Sequence, residues 1–561
     1  MDIQRLILFV IFSFSALFLW EAWQREHRPP VPVTSAAPPA SKATDAMPAP
    51  PAGATAASAV PGSMSSPALP AGETVVVKTD LYTAHIDTLG AVITELALSA
   101  HRDTRDETKP YVLLQRNADR TFIAQTGLLG EGMPNHRTLW KQLPGPRELA
   151  PGASSVDVKL EATAANGDKV VQTLTFHRGT YVIDVAYEIT NAGSAPIAPF
   201  AYFQLTRDAK TPVVQSSMAP AAYTGPVIYN ENDKFKKVET GELDKLAVDP
   251  SRKLPYTKNA DNGWVGMIEH YFLAAWLPPD TPRSPREFYA RKLDNGLYAD
   301  GVIVQAAPIA PGATGSIKVP LYAGPQEQDT LAKLATGLDL VVDYGIFTIL
   351  AAPLFWLLKW LYGIVHNWGW AIVLLTIIIK SVFYPLNHAS ARSMAKMKVI
   401  APKMKALQEQ YGSDKQQLQM KMMEMYKTEK INPLGGCLPI LVQIPVFIAL
   451  YWVLLSAVEL RHAPWILWIH DLSAPDPYFV LPVIYAITAY LQVRLSPTPI
   501  QDPVQAKVMQ IMPIAFSVMF IFFPSGLVLY WLVNNSLQIF QQWHMNRVLE
   551  REAAAAAAKR R

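Results

Sequence analysis

The spacing of apolar positions divides the chain into segments of different period. Between about residues 73 and 325 apolar and polar residues alternate, as in Thr74-Val75-Val76-Val77-Lys78, Ser155-Val156-Asp157-Val158-Lys159-Leu160 and Ser316-Ile317-Lys318-Val319-Pro320-Leu321. Successive side chains of a strand point to opposite faces. Period two, punctuated by Gly, Pro, Asn and Asp, therefore predicts an antiparallel all-β domain, long enough here for a large sandwich.

Further along, the alternation gives way to continuous apolar runs. Trp368 to Ile379 is uncharged, Lys380 interrupts, and Ser381 to Leu386 continues the run; Pro433 to Val458 and Tyr478 to Val493 carry no charge. The 39 residues between Lys507 and Arg547 also lack a formal charge. As one helix they would extend about 58 Å against a hydrocarbon core of about 30 Å, so the turn signal Phe523-Pro524-Ser525-Gly526 is expected to fold them into two spans. Near the N-terminus the uncharged run Leu6 to Trp20 follows Arg5, and the bulky, charged Glu21 to Arg25 replaces a cleavage site, so an uncleaved signal anchor is expected. Six transmembrane helices result, five of them in the C-terminal core.

Ile346 to Val365 is apolar apart from Lys359 and would pass as a further span on hydropathy alone. Charge placement argues otherwise. Arg392 to Lys430 holds nine Lys/Arg and four acidic residues and is expected on the cytoplasmic side. With the β domain outside, the crossings between it and this loop must be odd in number, and His366-Asn367 is too short to join two antiparallel spans. Asp343 to His366 is thus expected to lie along the outer interface, anchored by Trp356, Lys359, Trp360 and Tyr362. The expected organisation is a signal anchor over 1–28, a Pro/Ala-rich linker over 29–72, a β domain over 73–330, an interfacial helix region over 331–367, a helical core over 368–547 with a cytoplasmic hairpin at 387–431, and a basic tail over 548–561.

Composition agrees. Of 561 residues 50% are hydrophobic and only 17% charged, against about a quarter charged in an average soluble chain. The linker holds 11 of the 46 prolines and almost no large apolar residue, so it cannot offset its own ordering entropy. A formal net charge of +4 is too weak to point to nucleic acid. Cys437 is the single cysteine, which excludes an internal disulfide and any CxxC site. In the β domain His85, His101, His136, His177 and His270 are scattered without metal-ligand spacing, and are read as satisfied or surface residues. No cofactor, metal or catalytic set is expected.

Three features carry candidate function. Lys380 sits somewhat beyond the middle of its span, where an ionisable group is a functional candidate, although its stem also reaches toward the cytoplasmic headgroups. Thr376 shares its helix face; Gln443, Asn534, Asn535 and Gln538 lie on other spans, either lining a hydrated cavity or making ordinary interhelical hydrogen bonds. In the basic loop Met394, Met397, Ala401, Met404, Leu407 and Tyr411 recur at helical spacing, Gly412 breaks the helix, and Ser413-x-x-Gln416 reads as a capping box opening a second helix. That second arm carries Met420, Met422, Met423 and Met425, which suit varied apolar partners or the packing of the hairpin itself. Finally, Pro433, Pro439 and Pro445 recur every six residues, so their span is kinked.

The motifs Asn432-Pro433-Leu434-Gly435-Gly436-Cys437-Leu438-Pro439, Trp465 through Asp471-Leu472-Ser473, and Phe523 through Tyr530-Trp531 resemble those of the YidC/Oxa family of membrane protein insertases, and the likeness runs the length of the chain. The resemblance implies a polytopic α-helical inner-membrane protein with a large periplasmic all-β supersandwich and both termini cytoplasmic. It also implies a hydrophilic groove holding a positive charge, usually arginine and here Lys380, lined by Thr376, Gln443, Trp531 and Asn534, with the hairpin methionines meeting substrate. The partners implied are nascent membrane proteins, the Sec translocon and its accessory subunits, the ribosome and signal recognition pathway, and the lipid bilayer; no nucleic-acid sequence is implied. The rival classes are a secondary transporter or channel using the intramembrane lysine, and a tethered carbohydrate-active enzyme, which needs a carboxylate pair in the β domain.

Overall fold

The computed structural model describes residues 72–103, 106–210, 223–412, 414–429, 438–495, 515 and 517–560. The expected signal anchor, the linker up to Ala71, the Pro433 to Cys437 stretch, the 496–506 loop and most of the expected fifth span lie outside the described residues.

The alternating segments form two nine-stranded antiparallel sheets. The first runs from edge strand Thr74–Lys78 through Tyr82–Asp87, Val92–Arg102, Pro110–Arg116 and Thr121–Leu129. It continues through Phe200–Arg207, Tyr298–Gln305 and Arg286–Lys292 to Asn259–Ala260. The second runs from Lys234–Lys237 through Gly225–Asn230, Trp264–Glu269, Phe272–Trp276, Thr314–Pro325, Val182–Thr190, Lys169–His177 and Ser155–Thr163 to Lys141–Gln142. Strands near the margins alternate as the sequence does. In Ser155–Thr163, Val156, Val158, Leu160 and Ala162 point inward while Asp157 and Lys159 face solvent. Central strands such as Thr121–Leu129 and Phe200–Arg207 are buried on both faces. Their outer side is covered by a small cluster of Leu129, Tyr202 and Ile303 with Phe200 and Tyr289.

Helices follow in chain order: α1 (Thr240–Val248), α2 (Gln328–Leu334), α3 (Thr348–Val365), α4 (Trp368–Val382), α5 (Tyr384–Tyr411), α6 (Lys415–Thr428), α7 (Leu438–Ser456), α8 (Val480–Leu495) and α9 (Ser525–Arg560). Among the described residues only α3 is by itself long and apolar enough to cross a membrane; α4 together with Tyr384–Ser390 passes as a bent pair, and Val442–Ser456 and α8 are shorter apolar helices. The composition of α3 therefore satisfies the test for a span. One of its faces, Ala351, Phe355, Leu358 and Leu361, packs into the protein, while Ile349, Trp356, Trp360 and Ile364 stand bare on the other.

Two expectations are corrected. The run through Lys380 does not continue straight to Leu386: the chain bends by 56° between α4 and α5. Pro385, in the first turn of α5, has no N–H to donate to the carbonyl four residues earlier and its ring crowds that carbonyl, so the helical hydrogen-bond ladder is interrupted across the break at Phe383. The second arm of the hairpin is capped one residue later than Ser413, by Asp414, whose carboxylate accepts from the Gln416 and Gln417 amides at 3.0 Å. The expected basic tail beyond residue 547 continues α9 as far as Arg560, sustained by six alanines, the strongest helix formers.

The β domain is seated on the helical core. Val227, Tyr229, Trp264 and Leu273 share one apolar cluster with Phe355 of α3 and Leu450 and Val453 of α7, and Val458 packs into the sandwich core. Arg461, just after α7, lies over the rings of Tyr111 and Phe272 at 5.2 and 5.4 Å and donates to the Arg102 carbonyl. The His270 ring donates to the Leu455 carbonyl at 3.1 Å.

Candidate functional site: a buried lysine on a polar seam

The start of α4 is fixed by its cap. The Asn367 side chain accepts from the Trp370 amide at 3.1 Å and donates to the carbonyls of Pro464 and Trp465, both at 3.2 Å. Gly369 lies against the Trp465 indole so closely that any Cβ there would overlap the ring. Clamped in this way, α4 turns Ile372, Thr376, Ile379 and Lys380 inward.

Lys380 is 4% exposed, and its ammonium donates to Gln538 Oε1 at 2.8 Å. Among the described residues no acidic side chain pairs with it. A lysine carries three donors, and a neutral amide satisfies one of them without cancelling the charge. Thr376, one turn earlier, directs its hydroxyl to the Ile372 carbonyl at 2.7 Å, so its polarity is satisfied within its own helix.

α9 presents the facing side of the site. Its N-terminal end is held where the Ser525 amide and hydroxyl both donate to the Ala474 carbonyl and the Gly526 amide donates to the Leu472 carbonyl. From there Trp531, Asn534, Gln538 and Gln541 follow at spacings of three and four, along one stripe of the helix. Asn534 accepts from Gln443 of α7 at 2.8 Å, and Gln538 accepts from Lys380 of α4. Gln541 accepts from Asn387 of α5 at 3.5 Å. Trp531 packs among Phe447, Tyr485 and Phe520, at 4.5, 6.3 and 5.8 Å between ring centroids, and its indole N–H has no acceptor among the described residues. Asn535, on an adjacent face, donates to Thr488 of α8 at 3.0 Å.

Of the residues expected to line a groove, Lys380, Gln443 and Asn534 lie on one seam between α4, α7 and α9, whereas Thr376 bonds within its own helix and Trp531 packs among aromatic rings. The seam side chains hydrogen-bond directly across it: Gln443 and Asn534 to each other, Lys380 to Gln538. Beyond Lys380 the seam ends at a narrow cleft lined by Gln538, Gln541, Gln542, Met545, Tyr384, Asn387 and His388.

The four hairpin methionines divide. Met422 and Met425 pack with Tyr426 against Ile400 and Met404, and the Tyr426 hydroxyl donates to Met404 Sδ at 3.7 Å; a Lys403–Glu429 ion pair of 2.6 Å closes the hairpin. Met420 and Met423 remain 65% and 50% exposed. Two of the four are therefore available to a partner. Sequence reasoning placed Gln538 only among generic polar groups and missed Asn387; the i, i+4 spacing of Asn534 and Gln538 was the available signal. The β-domain histidines have ordinary partners: His177 with Asp184, His136 with Tyr202 and His270 with Leu455.

Residues 74–357 match the family described as YidC periplasmic domain, and residues 360–552 match the family described as 60Kd inner membrane protein. The membrane protein insertase YidC of Nitrosospira multiformis is 49% identical over 580 residues, covering 100% of both chains. That of Aromatoleum aromaticum is 49% identical, covering 99% of this chain and 100% of its own. A solved structure described as an active YidC insertase with its first transmembrane domain resolved is 18% identical, with a TM-score of 0.37, covering 84% of this chain and 94% of its own. On the strength of the full-length sequence relatives, the chain belongs to the YidC family, a periplasmic two-sheet β domain followed by an inner-membrane helical domain.

Proposed function

We propose that the protein is a membrane protein insertase that moves newly made proteins into the inner membrane along the Lys380 seam. The observation that carries this reading is a buried lysine whose amine, among the described residues, meets the neutral Gln538 amide, on a polar seam that ends at a narrow cleft. The polar or acidic extramembrane part of a substrate traverses a short path beside Lys380, and its apolar segment passes into lipid along α7 and the span before Phe523. Nothing is covalently changed. Transfer of apolar groups at about 0.8 kcal/mol per methylene supplies the drive.

In this reading α4, α7, α8 and α9 span the bilayer together with the N-terminal anchor and the segment before Phe523, which makes six spans. Both termini and the α5–α6 hairpin are cytoplasmic, and the β domain is periplasmic. α3 lies along the outer interface. The ion pair between Lys359, two thirds of the way along α3, and Asp329 of α2 supports that placement, since a spanning α3 would bury Lys359 far from any residue adjoining the β domain. Exposed Met420 and Met423 receive apolar substrate segments, and the protein works alone or beside the Sec translocon and its accessory subunits, with substrates delivered by the ribosome and signal recognition pathway. A transporter or channel reading has no observation in its favour.

The test reconstitutes full-length protein in liposomes and scores protease protection of a small newly synthesised membrane protein with an acidic translocated tail. Wild type and Lys380→Arg are expected to insert it, and Lys380→Ala to lose most of the protected product. Equal insertion by wild type and Lys380→Ala would remove the charge from the mechanism.

A further inference from the structure

Lys380 itself does not line the cytoplasmic cleft; Gln538 does, and the ammonium lies behind it. One amide therefore has two neighbours. Its oxygen accepts from the buried Lys380 amine, and the same side chain forms a wall of an opening otherwise lined by amides, His388, the Tyr384 ring and Met545. An amide oxygen is a weaker partner for an ammonium than a carboxylate, because it brings no countercharge. It is also easily displaced, since the glutamine side chain can turn away and hydrogen-bond to a neighbouring amide. The next polar group along the stripe, Gln541, is already held by Asn387 of α5.

From this arrangement we propose that Gln538 is a displaceable latch: it positions the Lys380 ammonium on the seam while the site is empty, and yields its place to a carboxylate of the substrate's translocated tail. The inference rests on the insertase reading and assigns a selective step to it. Tails carrying Asp or Glu engage Lys380 by displacing the latch, whereas neutral tails pass without doing so. Gln538 is accordingly a positioning residue, acting through Lys380.

The test uses the same full-length proteoliposomes with two substrates that differ only in the tail, one acidic and one in which Asn and Gln replace Asp and Glu. Gln538→Leu removes the acceptor, and Gln538→Glu supplies a fixed countercharge that a tail cannot displace. Each is expected to lower insertion of the acidic-tailed substrate fivefold or more, leaving the neutral-tailed one within about twofold of wild type. The exchange Lys380→Gln with Gln538→Lys retains one cation and one amide on the same pair of positions, and is expected to recover acidic-tail insertion to within about threefold of wild type. A merely structural glutamine would not give that recovery. The exchange also carries the test if Gln538→Leu fails to fold.

Four outcomes decide the matter. Loss in Gln538→Glu with recovery in the exchange supports the latch. Wild-type selectivity in both Gln538 variants, with Lys380→Ala defective, overturns the latch and leaves the insertase reading standing. A folded exchange variant that inserts no better than Lys380→Ala overturns it as well. Acidic-tail insertion by Lys380→Ala equal to wild type removes the charge mechanism and the latch together.

Discussion

Asp476 is a buried carboxylate, 2% exposed, that organises the entry to α8. It accepts from the Trp468 indole and the Tyr478 amide at 3.0 Å and from the Leu481 amide at 2.7 Å. Hydrogen bonds to a charged acceptor contribute about 1.5–3 kcal/mol each and do not add fully. Asp476→Ala is therefore expected to destabilise the detergent-solubilised protein by roughly 3 kcal/mol and to raise hydrogen exchange at residues 478–483, with Asp476→Asn in between. Unchanged exchange there would sink the assignment. Asp476 was not legible in the sequence, because a cap that draws on an indole eight residues upstream has no local signature. Lys380 was legible for the opposite reason: a lone charge in an apolar run stands out without any knowledge of its neighbours. Gln538 was not, since amides are common in apolar helices and what singles this one out is its position across from Lys380 on another helix.

Among the elements, the α5–α6 hairpin shows what a short motif can and cannot specify. Helical spacing and Gly412 gave two arms, but both Ser413 and Asp414 are competent caps, and the carboxylate is the better acceptor for two amides at a positive helix end. Asp414→Ala is expected to cost about 1 kcal/mol in the hairpin alone. It would appear as faster amide exchange over 414–420 with no change at the sandwich; an equal response in both regions would contradict local capping. The strands near the sheet margins were legible through alternation. The central strands lose that signal because a second layer of side chains covers their outer face. α3 is the hardest case: its composition fits a span, and only its partners, Asp329 on one side and the α4 and α7 packing on the other, argue for a helix lying in the interface.

At the scale of the whole molecule, the seating of the β domain on the core was not legible at all, because it joins residues hundreds of positions apart through single contacts. It carries a pH dependence. Burial, with Arg461 adding to it, lowers His101 and His270 from the ordinary 6.5 to about 4, although the hydrogen bond to Leu455 partly opposes the shift at His270. Both rings are neutral in the fold, and unfolding returns them to an ordinary value near 6.5. Between pH 6.5 and 4 the unfolded chain thus binds the extra protons, so stability is full above the upper value and declines with acid. The loss is on the order of 2–3 kcal/mol per ring by pH 4. Unfolding midpoints at pH 7.5, 6 and 5 are expected to fall in wild type and to fall less in a His101→Gln, His270→Gln double variant. Parallel curves for the two proteins would exclude the histidines as the source.

The 56° break at Phe383 makes α5 a lever. Its 28 residues reach about 42 Å from the pivot to the hairpin turn, whereas Asn387, bonded to the stripe on α9, lies only about 6 Å from the same pivot. A tilt of a few degrees that sweeps the hairpin tip through about 3 Å moves Asn387 by about half an ångström, a gearing of roughly seven to one. A light pull by a large partner on the distal end is thereby converted into a small, forceful displacement at the mouth of the cleft.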